Sequence, residues 1–490
     1  MPPCKDVKNA SIHVGAFFCA LPCTLAATKS GCAASTMLNK IFKAGIFQKG
    51  SFIQNTLLLS SASAWGMVIQ FAFAPILSRI YDAEVYGVFA IFGTFLNMVM
   101  TLVMLGYNRA LLLPREQHEF KALLRLALLL STLTALTLSL IFLFFGQSIA
   151  TFFSADGIGW WIYLVGPIAL ISAYDQYIVS WTMQARAYRK SSLASIPLSL
   201  ASKSFNVAYG RYISSNVDGL IYTHLIAAVS RIGVHLGFVI NNAKQTLLGA
   251  VSRDALRNAF ANYRDYPRYV VWSNLLNQLS NYVPILVLPL FLLNTAAVGF
   301  YTYAVMLLEL PVRLLSAGLA QVFLQESADL WKTNPDAVRS KMRKLFQTLL
   351  LAGLAPTLLL YFFGEVLFAW LFGEDWAMAG QAAAVLAFSY LFRYISVPLS
   401  SLYTVTRNEA KLFRFQIALF VLRLAGIAIP GWLNLGFLEM MGGFAIANIL
   451  AYGWLCIGVF RVVHAPLARW GGLIIALVVA TCGLALFEMI

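Results

Sequence analysis

Residues 122–145 read ALLRLALLLSTLTALTLSLIFLFF, an apolar run interrupted by a single charge. A helix needs about 20 apolar residues to cross the hydrocarbon core of a bilayer, so this run predicts a membrane-spanning helix. The rest of the chain has the same character, since 60% of its 490 residues are hydrophobic and only 11% are charged. Soluble domains average about 25% charged residues. The composition therefore excludes an ordinary soluble enzyme, and its high apolar content excludes a disordered chain.

Apolar runs of spanning length recur along the whole sequence and predict the fold class. Together with the first run they give thirteen candidate spans, at 53–79, 86–112, 122–145, 160–183, 190–210, 216–240, 268–291, 297–322, 345–364, 378–402, 412–430, 441–460 and 470–488. The runs at 190–210 and 216–240 are the least apolar of the set. We predict an all-α polytopic membrane protein with twelve to thirteen spans.

The loops between these spans alternate in charge. The basic loops lie at 36–52, 113–125, 184–190, 241–268, 323–344, 403–414 and 461–469. The loops between them are acidic or neutral, apart from Arg211 and, at a loop edge, Arg79. Because Lys and Arg accumulate on the cytoplasmic side, the alternation places residue 52 in the cytoplasm. The same rule accounts for the net charge of +15, so we predict no nucleic-acid partner.

Two glycines indicate an internal repeat. Gly87 and Gly299 follow short outer loops, and they are 212 residues apart, while the spans before them start 215 residues apart. A glycine at the top of a membrane helix lets two backbones approach closely. The equal spacing predicts two parallel six-helix lobes around a central cavity, related by an axis along the membrane normal.

The sequence therefore divides into five predicted segments. They are an atypical N-terminal extension at 1–36, a first lobe at 37–240, a cytoplasmic basic linker at 241–267, a second lobe at 268–463 and an additional C-terminal transmembrane helix at 464–490. The N-terminal extension is open to two interpretations, a cleaved signal peptide or a stretch that precedes a natural start at Met37.

Several functional classes lack their motifs. The chain has no GxxxxGK[ST] motif and no long soluble segment, which argues against ATP-driven transport. The outer loops are short, whereas glycan polymerases and ligases need a sizeable outer loop or domain to hold an acceptor. The six cysteines form no CxxC motif and no Cys/His cluster, so we predict no metal site, no cofactor and no disulfide framework.

Charged residues inside the predicted spans are mostly basic. The basic ones are Arg109, Lys203, Arg231, Arg313, Arg393 and Arg423, against two acids, Asp175 and Glu309. Such residues cost several kcal/mol at mid-bilayer, so they usually face a cavity or a partner. The surplus of cations predicts a water-filled, positively charged interior or an anion that enters it. The two acids are expected to differ. Glu309 is expected to pair with Arg313 at i,i+4, and Asp175 is expected to be unpaired.

Polar side chains also recur at helical spacing. Asn274, Asn277, Gln278 and Asn281 form one stripe on span 7. This stripe suits either hydroxyl-rich sugars or hydrogen bonds between helices. His224 lies seven residues before Arg231 on nearly the same helix face, and either His224 or Asp175 is a candidate for a coupling proton or for a structural hydrogen bond.

The first outer loop of this sequence resembles that of a known family. Residues 74–92, APILSRIYDAEVYGVFAIF, resemble the loop signature of O-antigen and polysaccharide flippases of the multidrug/oligosaccharidyl-lipid/polysaccharide exporter superfamily. Looser matches are LGYNRAL at 105–111, VGFY at 298–301 and LELP at 308–311. The resemblance covers about residues 40–463. It implies a bacterial inner-membrane protein whose ligand is an undecaprenyl-pyrophosphate-linked sugar unit, and it matches Arg109 to the family's basic position at the end of span 2.

The leading hypothesis is translocation of an undecaprenyl-pyrophosphate-linked oligosaccharide, an O-antigen or other surface polysaccharide repeat unit, from the cytoplasmic to the periplasmic leaflet. No bond is made or broken, so no catalytic residue is predicted. The predicted substrate-binding residues are Arg79, Arg109, Lys203, Arg231, Arg313, Arg393, Asn274, Asn277, Gln278 and Asn281, and the predicted ion-coupling residues are Asp175 and His224. For Arg79 and Arg109 the alternatives are a salt bridge to Asp82 or Glu84 and snorkelling to the interface.

The expected partners are the sugar-linked lipid and membrane lipid, with a polysaccharide polymerase and chain-length proteins as further candidates. Two other functions stay open on sequence grounds. A multidrug or ion antiporter of the same superfamily would need surplus acid in its cavity to bind cationic drugs, which the interior charges do not supply. A membrane glycosyltransferase or ligase would need a carboxylate pair positioned for acid–base chemistry.

Overall fold

The computed structural model describes residues 52–114, 116–184, 188–248, 251–464, 476 and 478–483. The chain divides into two compact units, Met1–Leu58 and Leu59–Ile490, and in the first of these the described part is helical. The predicted N-terminal extension lies outside the described residues, as does most of the predicted last span. The segments discussed below belong to the second unit unless stated otherwise.

The described part of the chain is built from helices and the turns between them. The α-helices are α1 (Phe52–Leu77), α2 (Ala83–Met104), α3 (Tyr107–Ala110), α4 (Gln117–Phe152), α5 (Val165–Gln184), α6 (Tyr188–Tyr212), α7 (Val217–Leu248), α8 (Arg253–Tyr263), α9 (Val271–Leu292), α10 (Ala296–Pro311), α11 (Ala317–Trp331), α12 (Pro335–Phe372), α13 (Ala377–Val405), α14 (Glu409–Trp432) and α15 (Phe437–Val462). The predicted all-α fold class is confirmed. Each of the first twelve predicted spans overlaps one of these helices or two consecutive ones, and several observed helices extend beyond the predicted bounds.

Nine of the described helical segments are long and apolar enough to cross a membrane, and two shorter apolar segments lie at Trp65–Leu77 and Ala296–Pro311. The chain is therefore a multi-pass membrane protein. α6 is not among the nine because its serines and Lys203 lower its hydropathy. Span 8 is divided by Pro311 and a π-helical turn at Val312–Ser316, so α10 alone is too short to be counted.

Local sequence explains where the site-bearing helices begin and end. The Asp82 carboxylate accepts a hydrogen bond from the backbone N–H of Val85 and caps the start of α2. Leu105 and Gly106 take positive φ angles of 50° and 76°, which end α2 and turn the chain into α3. Asn334 caps α12 through Ala337, with a proline at the first helical position.

The helices differ in how much of their surface they bury. The most apolar window of α4 is 28% buried, and Leu129, Leu133, Leu136 and Leu140 stay exposed on one side, as expected for a helix against lipid. An apolar stretch of 18 residues within Glu374–Val405, the segment that contains α13, is 83% buried. α13 packs against α12, α15, α10 and α11, so it is the central helix of the C-terminal half (residues 251–464).

The N-terminal half (residues 59–248 of the second unit) meets the C-terminal half at both ends of the helices. At the end that carries the acidic or neutral loops, the Ser78 hydroxyl donates to the Phe372 carbonyl at 2.8 Å, and the Trp376 indole donates to the Ser78 carbonyl at 3.0 Å. At the basic end, the Tyr263 hydroxyl of α8 donates to Glu119 of α4 at 2.9 Å. Burial and the Glu119 carboxylate raise the pKa of Tyr263 to about 12, so this hydroxyl stays protonated and the bond is kept at neutral pH.

Candidate functional site

Three adjoining cavities lie where the two halves meet, and each is lined by residues of both. We name them the arginine cavity, about 520 Å³ with Arg313, Arg393 and Arg423; the lysine cavity, about 430 Å³ with Lys203; and the amide cavity, about 250 Å³ with Arg109, Asn274 and Asn277. Gln70 and Tyr282 line the first two, and Gln278 lines the first and third. Residues predicted from separate spans are thus brought together around three cavities that share lining residues.

The arginine cavity contains one carboxylate between two guanidinium groups. Glu309 Oε2 accepts from Arg313 Nε at 2.6 Å, which confirms the pair predicted from the i,i+4 spacing. Glu309 Oε1 accepts from Arg393 Nη1 at 2.9 Å, across from α10 to α13. The Arg393 guanidinium also lies 5.5 Å from the centre of the Tyr390 ring. Two arginines therefore share a single carboxylate, and one positive charge remains.

Arg423 is buried in the wall of the same cavity, with 3% of its surface exposed. Its Nε donates to Asn448 at 2.8 Å and its Nη2 to the Tyr452 hydroxyl at 3.1 Å. Its Nη1 reaches the carbonyl and hydroxyl of Ser280 at 3.0 and 3.1 Å and the Asn281 amide oxygen at 3.0 Å. In the described part of the chain all these partners are neutral, so hydrogen bonds hold the guanidinium in place without neutralising its charge.

The lysine cavity is lined mainly by the N-terminal half. Lys203 of α6 lies there with Asn206, Thr223 and His224. Asn206 accepts a hydrogen bond of 2.5 Å from the Thr223 hydroxyl, which joins α6 to α7. Nε2 of His224 lies 3.4 Å from the Ser172 hydroxyl. Of the described residues that line this cavity none is acidic, and Lys203 is the one Lys or Arg side chain among them.

The predicted amide stripe on α9 connects two cavities. Asn274 and Asn277 line the amide cavity beside Arg109, whereas Asn281 lines the arginine cavity and accepts from Arg423. Gln278 lies between them, and its amide donates to the Thr101 hydroxyl of α2 at 2.8 Å. The interhelical alternative is confirmed for Gln278 and Asn281, whose side chains bond to α2 and α14, while sugar binding by the stripe stays a prediction.

Asp175 and Arg231 lie elsewhere. Arg231 Nε donates to Asp175 Oδ2 at 2.8 Å, with Asp175 2% exposed and Arg231 35% exposed. The expectation that Asp175 is unpaired is therefore wrong. Neither residue lines any of the three cavities. Their side chains join α5 to α7 within the N-terminal half.

Arg79 also lies outside the three cavities. Its side chain is exposed and its Nη1 donates to the carbonyl of Pro75 at 2.6 Å and to that of Leu371 at 3.2 Å. These bonds join the two halves at the end with the acidic or neutral loops. The guanidinium bonds to backbone carbonyls of helix ends instead of forming the salt bridge to Asp82 or Glu84 that the sequence left open, while its contact with the substrate stays a prediction.

The structure adds residues to the predicted set. Arg423 was noticed as a charge inside a span but was not among the predicted site residues, and its depth in span 11 was the available signal. The aromatic residues of the arginine cavity carry no sequence signal that separates them from core residues; they are Phe71, Tyr282, Tyr301, Tyr390 and Phe444. Five Lys and Arg side chains and one carboxylate line the three cavities in the described ranges. Those ranges hold no group of three or more His, Cys, Asp or Glu residues suited to a metal ion.

Comparisons with known proteins agree with this architecture. A family profile described as "Polysaccharide biosynthesis protein" matches residues 76–381. No curated protein sequence matches the chain significantly. Among solved structures, the lipid II flippase MurJ in an inward closed conformation is similar over 88% of this chain and 91% of its own, with a TM-score of 0.63 and 16% identity.

Two transporter structures share the fold with slightly lower TM-scores. An inward-facing multidrug resistance MATE family transporter of the MOP superfamily matches 82% of this chain and 95% of its own, with a TM-score of 0.56 and 14% identity. The Vibrio cholerae MATE transporter VcmN in the bent form matches 88% of this chain and 98% of its own, with a TM-score of 0.53 and 13% identity. At these identities the likeness is one of fold.

Proposed function

Because the chain belongs to the polysaccharide biosynthesis protein family of the multidrug/oligosaccharidyl-lipid/polysaccharide exporter superfamily, we propose that it translocates an undecaprenyl-pyrophosphate-linked oligosaccharide across the bacterial inner membrane. The repeat unit is that of an O-antigen or another surface polysaccharide. The direction is from the cytoplasmic to the periplasmic leaflet. The observation that carries the proposal is the surplus of guanidinium groups in the arginine cavity.

The chemistry of this cavity suits a diphosphate. Arginine presents a planar fork that donates two parallel hydrogen bonds to phosphate oxygens and stays charged at any working pH. Arg423 is fixed by neutral partners and Arg393 is held on a buried helix, so both are oriented before an anion arrives. A positioned cation offsets part of the free energy needed to remove a diphosphate from water.

The neighbouring cavities suit the sugar part. The amides of the α9 stripe and the hydroxyl and amide groups beside Lys203 can donate and accept hydrogen bonds with sugar hydroxyls. Tyr86, Phe89 and Tyr303 of the lysine cavity offer apolar surfaces for the CH-bearing faces of a sugar ring. The lipid tail needs no protein cavity, since it stays in the bilayer. The two halves would then alternate between opening to one leaflet and opening to the other.

The driving energy would come from an ion gradient or from removal of the product. Of the two residues predicted to couple to an ion, His224 is the better candidate because it lines a cavity, whereas Asp175 is occupied by Arg231. The multidrug alternative is disfavoured by charge, since Glu309 is the single carboxylate among the described residues of the three cavities and it is bound to two arginines.

The test is translocation of a fluorescent undecaprenyl-pyrophosphate-linked oligosaccharide in vesicles that contain the purified full-length chain. We expect Arg393→Ala to lower the rate by about tenfold or more, the loss that follows from removing one charged hydrogen bond of about 1.5–3 kcal/mol. The matched control is Arg414→Ala, since Arg414 is exposed on α14 away from the cavities. Glycosyl transfer by the purified protein, or equal rates for both variants, would contradict the proposal.

A further inference from the structure

We propose that Glu309 is an internal counter-ion that holds Arg313 and Arg393 until a phosphate of the substrate takes its place. This inference rests on the proposed function, since the competing anion is the phosphate of that substrate. Glu309 then decides when the site accepts an anion, and the exchange acts on α10, the helix that carries Glu309.

The geometry makes Glu309 a substitute for an anion. Its two oxygens accept hydrogen bonds from two arginines of different helices, at 2.6 Å from Arg313 Nε and 2.9 Å from Arg393 Nη1. A phosphate presents oxygens of the same charge and the same acceptor chemistry to both guanidinium groups. The carboxylate side chain is 13% exposed and faces the arginine cavity, so an anion in that cavity competes with it directly.

The neighbouring Arg423 explains why the exchange is favourable. Its charge is not matched by a carboxylate among the described residues that surround it, so the cavity holds three guanidinium groups for one carboxylate. A diphosphate carries more negative charge than Glu309, and Arg393 and Arg423 both line the cavity that it would enter. Arg313 is 63% exposed, so its guanidinium has room to turn from the carboxylate to the phosphate.

The position of Glu309 connects this exchange to the shape of the helix. It lies in the last turn of α10, two residues before Pro311 and three before the π-helical turn Val312–Ser316. π-helical turns within helices are often found at functional sites, and proline is a common cause of a bend. Arg313 is within the π-helical turn and Arg393 is on the buried α13. The two ion pairs of Glu309 therefore connect the π-helical turn to the central helix of the C-terminal half.

A small cavity beside Pro311 leaves space for span 8 to move. The cavity has a volume of about 40 Å³ and is lined by Pro311 together with Gly353, Pro356 and Tyr394. Release of Arg393 would remove one restraint on the bend, so binding of the phosphate would change the equilibrium between bent and straight forms of span 8. A ligand shifts such an equilibrium only when it interacts differently with the two forms, and the exchange of Glu309 supplies that difference.

The experiment compares binding of inorganic pyrophosphate to purified full-length wild type, Glu309→Gln and Glu326→Gln by calorimetry at constant ionic strength. Glu326→Gln is the matched control, because it removes the same charge from an exposed pair with Lys341 on the adjoining helices. We expect Glu309→Gln to bind pyrophosphate about tenfold more tightly than wild type, a coupling within the usual range between competing sites. Glu326→Gln should bind like wild type.

A second measurement covers the case in which Glu309→Gln is less stable. Pyrophosphate should raise its thermal unfolding midpoint more than it raises that of wild type, because the added anion replaces the missing carboxylate. Sodium chloride at equal ionic strength should not. Equal or weaker pyrophosphate binding by Glu309→Gln, or no detectable binding by either protein, overturns the inference.

The vesicle assay separates this inference from the proposed function. Translocation by wild type without tighter binding in Glu309→Gln would retain the function and remove the counter-ion role. Tighter pyrophosphate binding in Glu309→Gln without any translocation by wild type would retain the anion exchange and remove the proposed function. If the proposed function and the counter-ion role are both correct, Glu309→Gln should also translocate more slowly than wild type. In this variant the phosphate has no carboxylate to replace, so its binding no longer changes the restraint on span 8.

Discussion

Gly87 and Gly299 lie against each other where α2 and α10 begin. A Cβ atom added to Gly87 would overlap the carbonyl oxygen of Thr295, and one added to Gly299 would overlap the carbonyl oxygen of Ala83. The contact is reciprocal. Gly87 lies against Thr295, the residue before α10, and Gly299 lies against Ala83, the first residue of α2. It joins the two halves backbone to backbone at the end predicted to be periplasmic.

This contact predicts that Gly87→Ala hinders closure of the periplasmic end. The added methyl group meets a carbonyl that belongs to a helix start and has little freedom to move, and overpacking of this kind costs about 1–3 kcal/mol. We expect translocation to fall by about tenfold or more as the closed state loses population. Distances between spin labels at the outer ends of α2 and α10 should become longer and more broadly distributed.

Gly233→Ala on α7 is the control. Gly233 is exposed, it lines none of the three cavities, and a Cβ placed there has no neighbouring atom within 4 Å. The replacement of a helical glycine by alanine should then stabilise the protein slightly or leave it unchanged. Similar losses in Gly87→Ala and Gly233→Ala, or unaltered spin-label distances in Gly87→Ala, would show that the glycine contact does not determine closure.

Features that depend on nearby residues could be predicted from the sequence. Helices were located because a spanning helix needs a continuous apolar run of fixed length, and the Glu309–Arg313 pair was found because an i,i+4 spacing fixes its geometry. The spacing along the chain also predicts that Gly87 and Gly299 are equivalent positions of two repeats, and this stays a prediction. The spacing does not predict that the two glycines contact each other, since the contact depends on how the two halves pack.

Pairs between distant residues were missed for the same reason. Asp175 and Arg231 are 56 residues apart, and Arg423 reaches Ser280 across 143 residues. No spacing rule relates residues on helices whose order around a bundle is unknown. The sign of the interior charge could therefore be predicted, while the helix packing decides which charges meet a carboxylate.

Arg423 is predicted to need its guanidinium shape as well as its charge. Lysine would keep the positive charge but could not reach Asn448, Tyr452 and Ser280 together, because it presents its donors from one nitrogen. Each lost hydrogen bond from a charged group costs about 1.5–3 kcal/mol. We expect Arg423→Lys to lower the thermal unfolding midpoint by several degrees and to weaken pyrophosphate binding by about tenfold.

The control for this change is Arg414→Lys on the same helix. Arg414 is exposed, so the loss of its guanidinium should leave both the midpoint and the binding unaltered. An Arg423→Lys protein that binds pyrophosphate like wild type would show that Arg423 supports the wall of the cavity without contacting the anion.

Asp175 and Arg231 are predicted to act as a structural pair. Asp175 is buried and Arg231 is 35% exposed, so removal of the carboxylate leaves a partly exposed guanidinium without its partner, at a cost of about 1–3 kcal/mol. We expect Asp175→Asn to unfold at a clearly lower temperature than wild type. The double variant Asp175→Asn/Arg231→Gln should recover most of the stability and the translocation rate, because neither charge then remains.

A different result would give Asp175 a role in coupling. If the double variant regains its unfolding temperature but translocates slowly, and if its rate no longer responds to a pH gradient, Asp175 carries a proton in the cycle. The same pH-gradient measurement on His224→Gln tests the other candidate, which lines the lysine cavity.

The orientation of the chain is predicted by the alternation of basic and acidic loops and can be tested in cells. Asp254 is exposed in α8 of the basic linker, and Ser215 is exposed in the loop between α6 and α7 at the opposite end. In a cysteine-free background, we expect Ser215→Cys to react with an impermeant maleimide in intact cells whose outer membrane has been opened. Asp254→Cys should react only after the inner membrane is permeabilised, because the Lys and Arg residues around it hold that loop in the cytoplasm.

This orientation matters for the direction of transport. The amide cavity with Arg109 lies beside Tyr266 of the linker, so a cytoplasmic linker would make that cavity face the leaflet where the sugar-linked lipid is made. The opposite labelling pattern, with Asp254→Cys reactive in intact cells and Ser215→Cys protected, would place the cavity on the wrong side of the membrane. It would contradict the proposed movement from the cytoplasmic to the periplasmic leaflet.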